Sequence, residues 1–169
     1  MGGVGQAVAA RLVTGFGMQG RYLARRRHPD LEERLGIQPA ASLDALLEEA
    51  DVVTVHVPLT PETRGMIGAS ELARMRPGAV LVNVSRGPVV DEEALVDALR
   101  QGRIAAGLDV FADEPLPAGH PLTALPNAVL TPHIASAGRL TRSRMANLAV
   151  DNLLAMAAGR TPPSPVVGA

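Results

Sequence analysis

Short runs of Val, Leu and Ile alternate along the chain with stretches in which apolar residues recur every three or four positions. Continuous apolar runs of this length suit strands buried on both faces, and the three- to four-residue period suits helices that cover them. The pattern predicts strands near Arg21–Ala24, Val52–Val57, Val80–Val84, Ile104–Val110 and Val129–Thr131. It predicts helices near Val4–Thr14, Pro29–Leu35, Leu43–Glu49, Ala69–Arg74 and Glu92–Gln101. Ser42 and Asp91 stand where N-caps are wanted, and Gly36 and Gly102 where helices should stop. A longer helix is expected from Ser136 to Ala158, with Met145, Leu148, Ala149, Leu153 and Met156 at its apolar positions and Gly159 at its end. Thr161-Pro162-Pro163-Ser164-Pro165 cannot continue it, so residues 160–169 read as an extended tail. Strands joined through helices imply parallel pairing and right-handed crossovers, hence an α/β fold with a doubly wound parallel sheet. Ligands of such sheets bind beyond the carboxyl ends of the strands.

Chemically versatile residues collect at those ends. Val57-Pro58-Leu59-Thr60 follows one run and Asn83-Val84-Ser85-Arg86-Gly87 the next; Asp109 ends the third, with Asp113-Glu114-Pro115 beyond it, and Thr131-Pro132-His133-Ile134 follows the fourth. Singly, Arg86 reads as a surface cation, Glu114 as a loop charge and His133 as a helix cap; together at one sheet edge they read as a site. At the chain's start, Gly2-Gly3-Val4-Gly5 resembles the second half of a dinucleotide fingerprint, whose glycines let backbone amides approach a pyrophosphate at a helix N-terminus. The other reading is a flexible glycine-rich terminus.

Composition narrows this further. The 169 residues suit one domain. Sixteen basic residues, all Arg, against seventeen acidic ones leave a formal charge of −1, so no global field draws nucleic acid or an anionic membrane. No run approaches the roughly 20 apolar residues of a bilayer span. The lack of Cys excludes disulfides, thiolate catalysis and Cys-ligated metals, and no histidine pairs with carboxylates suited to a metal site. With Phe16, Tyr22 and Phe111 as the only aromatics, the core must be aliphatic, a composition suited to a cytoplasmic α/β domain.

In order, Gly2–Ala9, Leu43–Leu47, Ala50–Thr63, Asn83–Gly87, Val90–Leu95, Gly107–Phe111, Glu114-Pro115 and Thr131–Ile134 resemble the D-isomer-specific 2-hydroxyacid dehydrogenases, with the finer likeness to glyoxylate/hydroxypyruvate reductases. The resemblance covers nearly the whole chain and implies the Rossmann-like NAD(P)-binding domain of an oxidoreductase that moves a hydride between NAD(P)H and a small 2-oxo or 2-hydroxy acid. It implies Arg86 for the substrate's carboxylate and 2-oxo oxygen, His133 as acid/base and Glu114 as its partner. It places Gly2, Gly3, Val4, Gly5, Ala24, Arg25, Arg26, Val57, Pro58, Thr63, Ser85 and Asp109 at the cofactor. Ser136 reads as a substrate contact or a helix cap, His56 as a core imidazole, His120 as a loop contact and His28 as exposed.

An NAD-preferring domain shows Asp or Glu about 20 residues after the last fingerprint glycine. Here that position is Ala24, followed by Arg25-Arg26-Arg27. Guanidiniums suit a 2′-phosphate, so NADP(H) is expected ahead of NAD(H); the alternative is a solvated basic turn. The fingerprint's first glycine and first strand lack counterparts, as does the family's separate substrate domain. The chain therefore reads as residues 1–159 of cofactor domain lacking its first strand, a fragment inactive alone and belonging to a homodimer. The rival reading is a non-catalytic dinucleotide-sensing or interaction module, which a turnover assay would separate; an unrelated hydrolase's NAD domain is a third.

Overall fold

The structure, a computed structural model, describes residues 1–165. The described chain falls into two compact units that divide after Pro132. In the first, the order is α1 (Gly3–Phe16), β1 (Arg21–Tyr22), α2 (Pro29–Leu35), β2 (Gln38–Pro39), α3 (Leu43–Glu49), β3 (Val52–Val55), α4 (Ala69–Arg74), β4 (Val80–Asn83), α5 (Glu92–Arg100), β5 (Ala105–Leu108) and β6 (Ala128–Leu130). Strands β3, β4, β5 and β6 form one parallel sheet in that order, and β1 pairs with β2 in a separate parallel ribbon. This is the parallel α/β architecture that the alternation of runs predicts, Rossmann-like as the family resemblance implies. No described strand joins β1 to β3: β1 pairs with β2 and β3 with β4.

The core follows from the strand sequences. Val53, Val55, Leu81, Ala106 and Leu108 are buried and pack with Leu47, Leu72, Leu95, Leu99 and Leu122 in one aliphatic cluster. Full burial of a Leu or Val side chain is worth roughly 1.5–3 kcal/mol. Helix α5 turns Leu95, Val96, Ala98 and Leu99 inward, and the Asp91 carboxylate caps it by accepting from the Ala94 N–H at 3.1 Å. Ser42 caps α3 in the same way, and Gly36 ends α2 at φ 65°. A smaller cluster of Tyr22, Leu31 and Ile37 lies under the β1–β2 ribbon.

The strands are shorter than their apolar runs: Val57, Val110 and Thr131 lie beyond β3, β5 and β6. Strand β2 was not expected, since Gln38-Pro39 carries no apolar run. It forms because the Gln38 and Ala40 N–H groups donate to the Gly20 and Tyr22 carbonyls, and parallel pairing asks nothing of the proline nitrogen between them.

The second unit holds α6 (Arg139–Ala157), whose N-cap is Gly138, so Ser136 is not its cap. Instead the Ala137 N–H closes a turn onto the Ile134 carbonyl ahead of the helix. Met145, Leu148, Ala149, Leu153 and Met156, the expected apolar positions, stand exposed while Ala155 is buried. After α6 the chain turns back, with Asn152 and Ser164 exchanging hydrogen bonds of 2.7 and 3.0 Å. Residues 166–169 of the expected tail lie outside the described residues. No helix among the described residues is long and apolar enough to cross a membrane.

Candidate functional site

At the carboxyl end of β4, Asn83 is 1% exposed and organises the turn that follows. Its Oδ1 accepts from the N–H and the hydroxyl of Ser85, both at 3.0 Å, while its Nδ2 donates to the Arg86 carbonyl at 3.0 Å. A buried amide must satisfy its donors and acceptor, and this one does so by folding the chain around itself. The exposed Arg86 side chain reaches back to the Ser85 carbonyl at 2.7 Å. In the sequence Asn83 stands out only as a lone polar residue ending an otherwise apolar run.

Gly87 brings this turn against the segment after β5. A Cβ on Gly87 would lie 1.9 Å from the Phe111 carbonyl oxygen, 2.0 Å from its carbon and 2.6 Å from the Ala112 nitrogen. Only glycine permits that approach. The Phe111 N–H in turn donates to Glu114 Oε1 at 3.0 Å, so the Glu114 carboxylate is folded onto its own loop beside a cis Glu114–Pro115 bond. The structure thereby places the Arg86 turn and the Phe111–Glu114 loop side by side. Asp109 is 4% exposed; its N–H bonds the Asn83 carbonyl and its Oδ1 accepts from Thr131 Oγ1 at 2.5 Å.

Pro58 and Thr63 form a tight turn beyond β3. The Thr63 hydroxyl accepts from the Thr60 N–H at 2.8 Å and donates to the Pro58 carbonyl at 2.7 Å, so it is spent on shaping the loop. Val57 packs on the main core. His56 follows β3, half-buried, with its Nε2 2.9 Å from Thr54 Oγ1, and burial pushes its pKa down. It is a packed imidazole, though just outside the strand.

Helix α1 supplies the candidate cofactor cradle. It starts at an extended Gly2, its first turn carries no acidic residue, and a Cβ on Gly2 or Gly3 would meet nothing within 4 Å. A helix N-terminus led by two glycines, with no acidic residue in its first turn, fits a pyrophosphate. Gly5 is buried, its Cβ position 3.5 Å from that of His56.

The basic turn after β1 is not uniform. Arg27 is tied to Glu32, whose carboxyl is held below the usual range by that pairing first and by the Tyr22 hydroxyl second. His28, expected to be exposed, is half-buried: its N–H donates to the Tyr22 hydroxyl at 2.8 Å and its ring meets the Met1 amino group. Arg25 lies within Coulombic reach of that amino group, one residue before the α1 cap, and of Glu62 on the Pro58–Thr63 turn. Ala24 packs on the small cluster below, and Arg26 is exposed.

His133 opens the second unit. It is exposed and has φ 54°, the one positive φ at a non-glycine among the described residues. A left-handed backbone at such a residue costs on the order of 1–3 kcal/mol and clusters at functional positions. No group of His, Asp or Glu among the described residues is arranged to hold a metal ion.

Comparison with known proteins bears on this arrangement. The family model described as D-isomer specific 2-hydroxyacid dehydrogenase, NAD binding domain, matches residues 1–135. The glyoxylate/hydroxypyruvate reductase B of Escherichia fergusonii is 52% identical over 160 residues, covering 94% of this chain and 49% of that protein. A crystal structure of a Thermus thermophilus protein superposes with a TM-score of 0.91 at 56% identity, over 99% of this chain and 51% of the other. The holo form of Rhodotorula graminis D-mandelate dehydrogenase gives a TM-score of 0.92 at 30% identity, covering 99% and 49%. The chain spans about half the length of the curated relatives it matches.

Proposed function

Because the chain belongs to the D-isomer specific 2-hydroxyacid dehydrogenase family through its NAD binding domain, we propose that it is the cofactor-binding part of a reductase acting on a small 2-oxo acid such as glyoxylate or hydroxypyruvate. The observation that carries this reading is the α1 N-terminus, an open glycine cradle free of acidic residues. The bound nicotinamide supplies or takes up the hydride. The residues of the chain do the rest. Arg86, presented by the Asn83 turn, holds the substrate carboxylate and 2-oxo oxygen in its planar fork and stabilises the alkoxide. His133 carries the proton that oxygen gains or loses, and Glu114 is its partner by family resemblance. Asp109, Ser85, Pro58, Val57 and Thr63 line the nicotinamide side, and Gly2, Gly3, Val4 and Gly5 the pyrophosphate.

NADP(H) is the preferred cofactor in this reading. Ala24 leaves no acid for a ribose 2′-hydroxyl, and Arg25 and Arg26 remain for a 2′-phosphate once Arg27 is committed to Glu32. The chain should bind NADPH more tightly than NADH by calorimetry. Arg25→Ala/Arg26→Ala should lose at least about tenfold in NADPH affinity with NADH little changed, as expected when charge-assisted hydrogen bonds are removed. Equal NADH and NADPH affinity in the parent would sink the preference, and binding of neither would sink the cradle. Turnover of glyoxylate and hydroxypyruvate by the whole protein tests the reaction; binding without turnover would replace the reductase by a dinucleotide sensor. The reading also takes the enzyme as a cytoplasmic homodimer, to be checked by sedimentation equilibrium.

A further inference from the structure

Glu92 is not among the residues assigned above, yet its carboxylate makes two separate contacts across one loop. It sits in the first turn of α5, three residues after the turn Gly87–Val89 that follows Arg86. Its Oε2 accepts from the Ala112 N–H at 3.1 Å, and its Oε1 faces His120 Nε2 at 3.4 Å. Ala112 and His120 are the two ends of the loop that carries Glu114. Both side chains are largely shielded, at 18% exposure for Glu92 and 20% for His120.

His120 is held from its other side as well. Its Nδ1 accepts from the Leu122 N–H at 3.3 Å, and its carbonyl accepts from the Thr123 hydroxyl at 2.7 Å. An imidazole that accepts at Nδ1 carries its proton on Nε2, the nitrogen turned toward Glu92. Leu122 is buried in the main core, so this end of the loop is anchored from below. The peptide between Phe111 and Ala112 is then gripped on two sides, by Gly87 against its carbonyl and by Glu92 on the N–H of Ala112, while Glu114 holds the N–H of Phe111 in the preceding peptide.

We propose that Glu92 is a positioning residue: its two carboxylate oxygens staple both ends of the 112–120 loop to α5 and thereby set the orientation of Glu114 relative to the Arg86 turn. The catalytic consequence rests on the proposed role of Glu114; the staple itself is read without turnover. Glu93 serves as the control. It lies in the same first turn, offers the same charge to the helix N-terminus, and is exposed.

The test is amide hydrogen exchange and ¹⁵N NMR of the histidine rings in the full chain. In the parent, the Ala112 amide should exchange more slowly than that of Asp113, and His120 should show the Nε2–H tautomer; an unprotected Ala112 amide together with an Nδ1–H ring overturns the proposal before any variant is made. Glu92→Ala should speed exchange at Ala112 by at least about tenfold and release the tautomer preference, while Glu93→Ala leaves both within about twofold. Glu92→Gln, which keeps the shape and one acceptor, should retain one of the two contacts, and it carries the test if Glu92→Ala does not fold. Equal effects of Glu92→Ala and Glu93→Ala overturn the staple. In the whole protein, Glu92→Ala should lower kcat by about 10–100-fold with cofactor affinity unchanged, as misplacement of a catalytic group does. An unchanged kcat overturns the positioning role. A protein that shows the NMR changes but neither binds NAD(P)H nor turns over refutes the proposed function while the staple stands.

Discussion

Gly87→Ala is expected to destabilise the first unit by about 3 kcal/mol or more, the upper range for forcing extra volume into a packed site. The added methyl would overlap the carbonyl of Phe111 and the nitrogen of Ala112, which are backbone atoms and cannot rotate aside. Relief requires the Arg86 turn and the Phe111–Glu114 loop to separate, so stability and any activity of the site fall together. Urea unfolding followed by circular dichroism reads the first effect as a lower midpoint at unchanged slope. Gly15→Ala is the control of opposite sign. Gly15 lies in α1 with nothing within 4 Å of its Cβ position, so alanine there should stabilise by roughly 0.5–1 kcal/mol. If Gly87→Ala unfolds at the parent midpoint, the close approach of the two loops is wrong.

His133→Ala in the whole protein should lower turnover by about 10²–10⁴-fold, the usual range for general acid–base catalysis. NADPH affinity should not change, because the proposed cradle lies on α1 and the turn after β1. In the proposed mechanism the substrate fork is that of Arg86, so KM should move less than kcat. Reduction of 2-oxo acids at the parent rate by the variant would remove His133 from the mechanism. A loss confined to KM would make it a binding residue instead.

The two variants probe features of different legibility. His133 is visible as a histidine shortly after an apolar run, behind Thr131-Pro132 and in order with the other family segments. Gly87 was visible only as a letter in Ser85-Arg86-Gly87, and nothing local says that a second segment 24 residues later presses against it. Asn83 is an intermediate case. A polar residue closing Val80-Leu81-Val82 invites a question, but its hydrogen bonds to Ser85 and Arg86 exist only once the turn has folded. The arginines show the same limit: Arg25, Arg26 and Arg27 are equivalent in the sequence, and it is the position of Glu32 on α2 that takes Arg27 out of the group.

By itself, the sequence determined the alternation of strands and helices, the aliphatic core, the caps at Ser42 and Asp91, and the set of polar residues that follow the strands. These are legible because each depends on neighbours within a few positions: periodicity, capping chemistry and glycine placement act locally. The tertiary structure decided strand lengths, the β1–β2 ribbon, the start of α6, the grip on the Phe111–Ala112 peptide and the ion pair that sets Arg27 apart from Arg25 and Arg26. Each of those depends on groups distant in sequence meeting at hydrogen-bond or contact distance. Such a meeting leaves no periodic trace, so a side chain's partner across the fold becomes known only when the fold does.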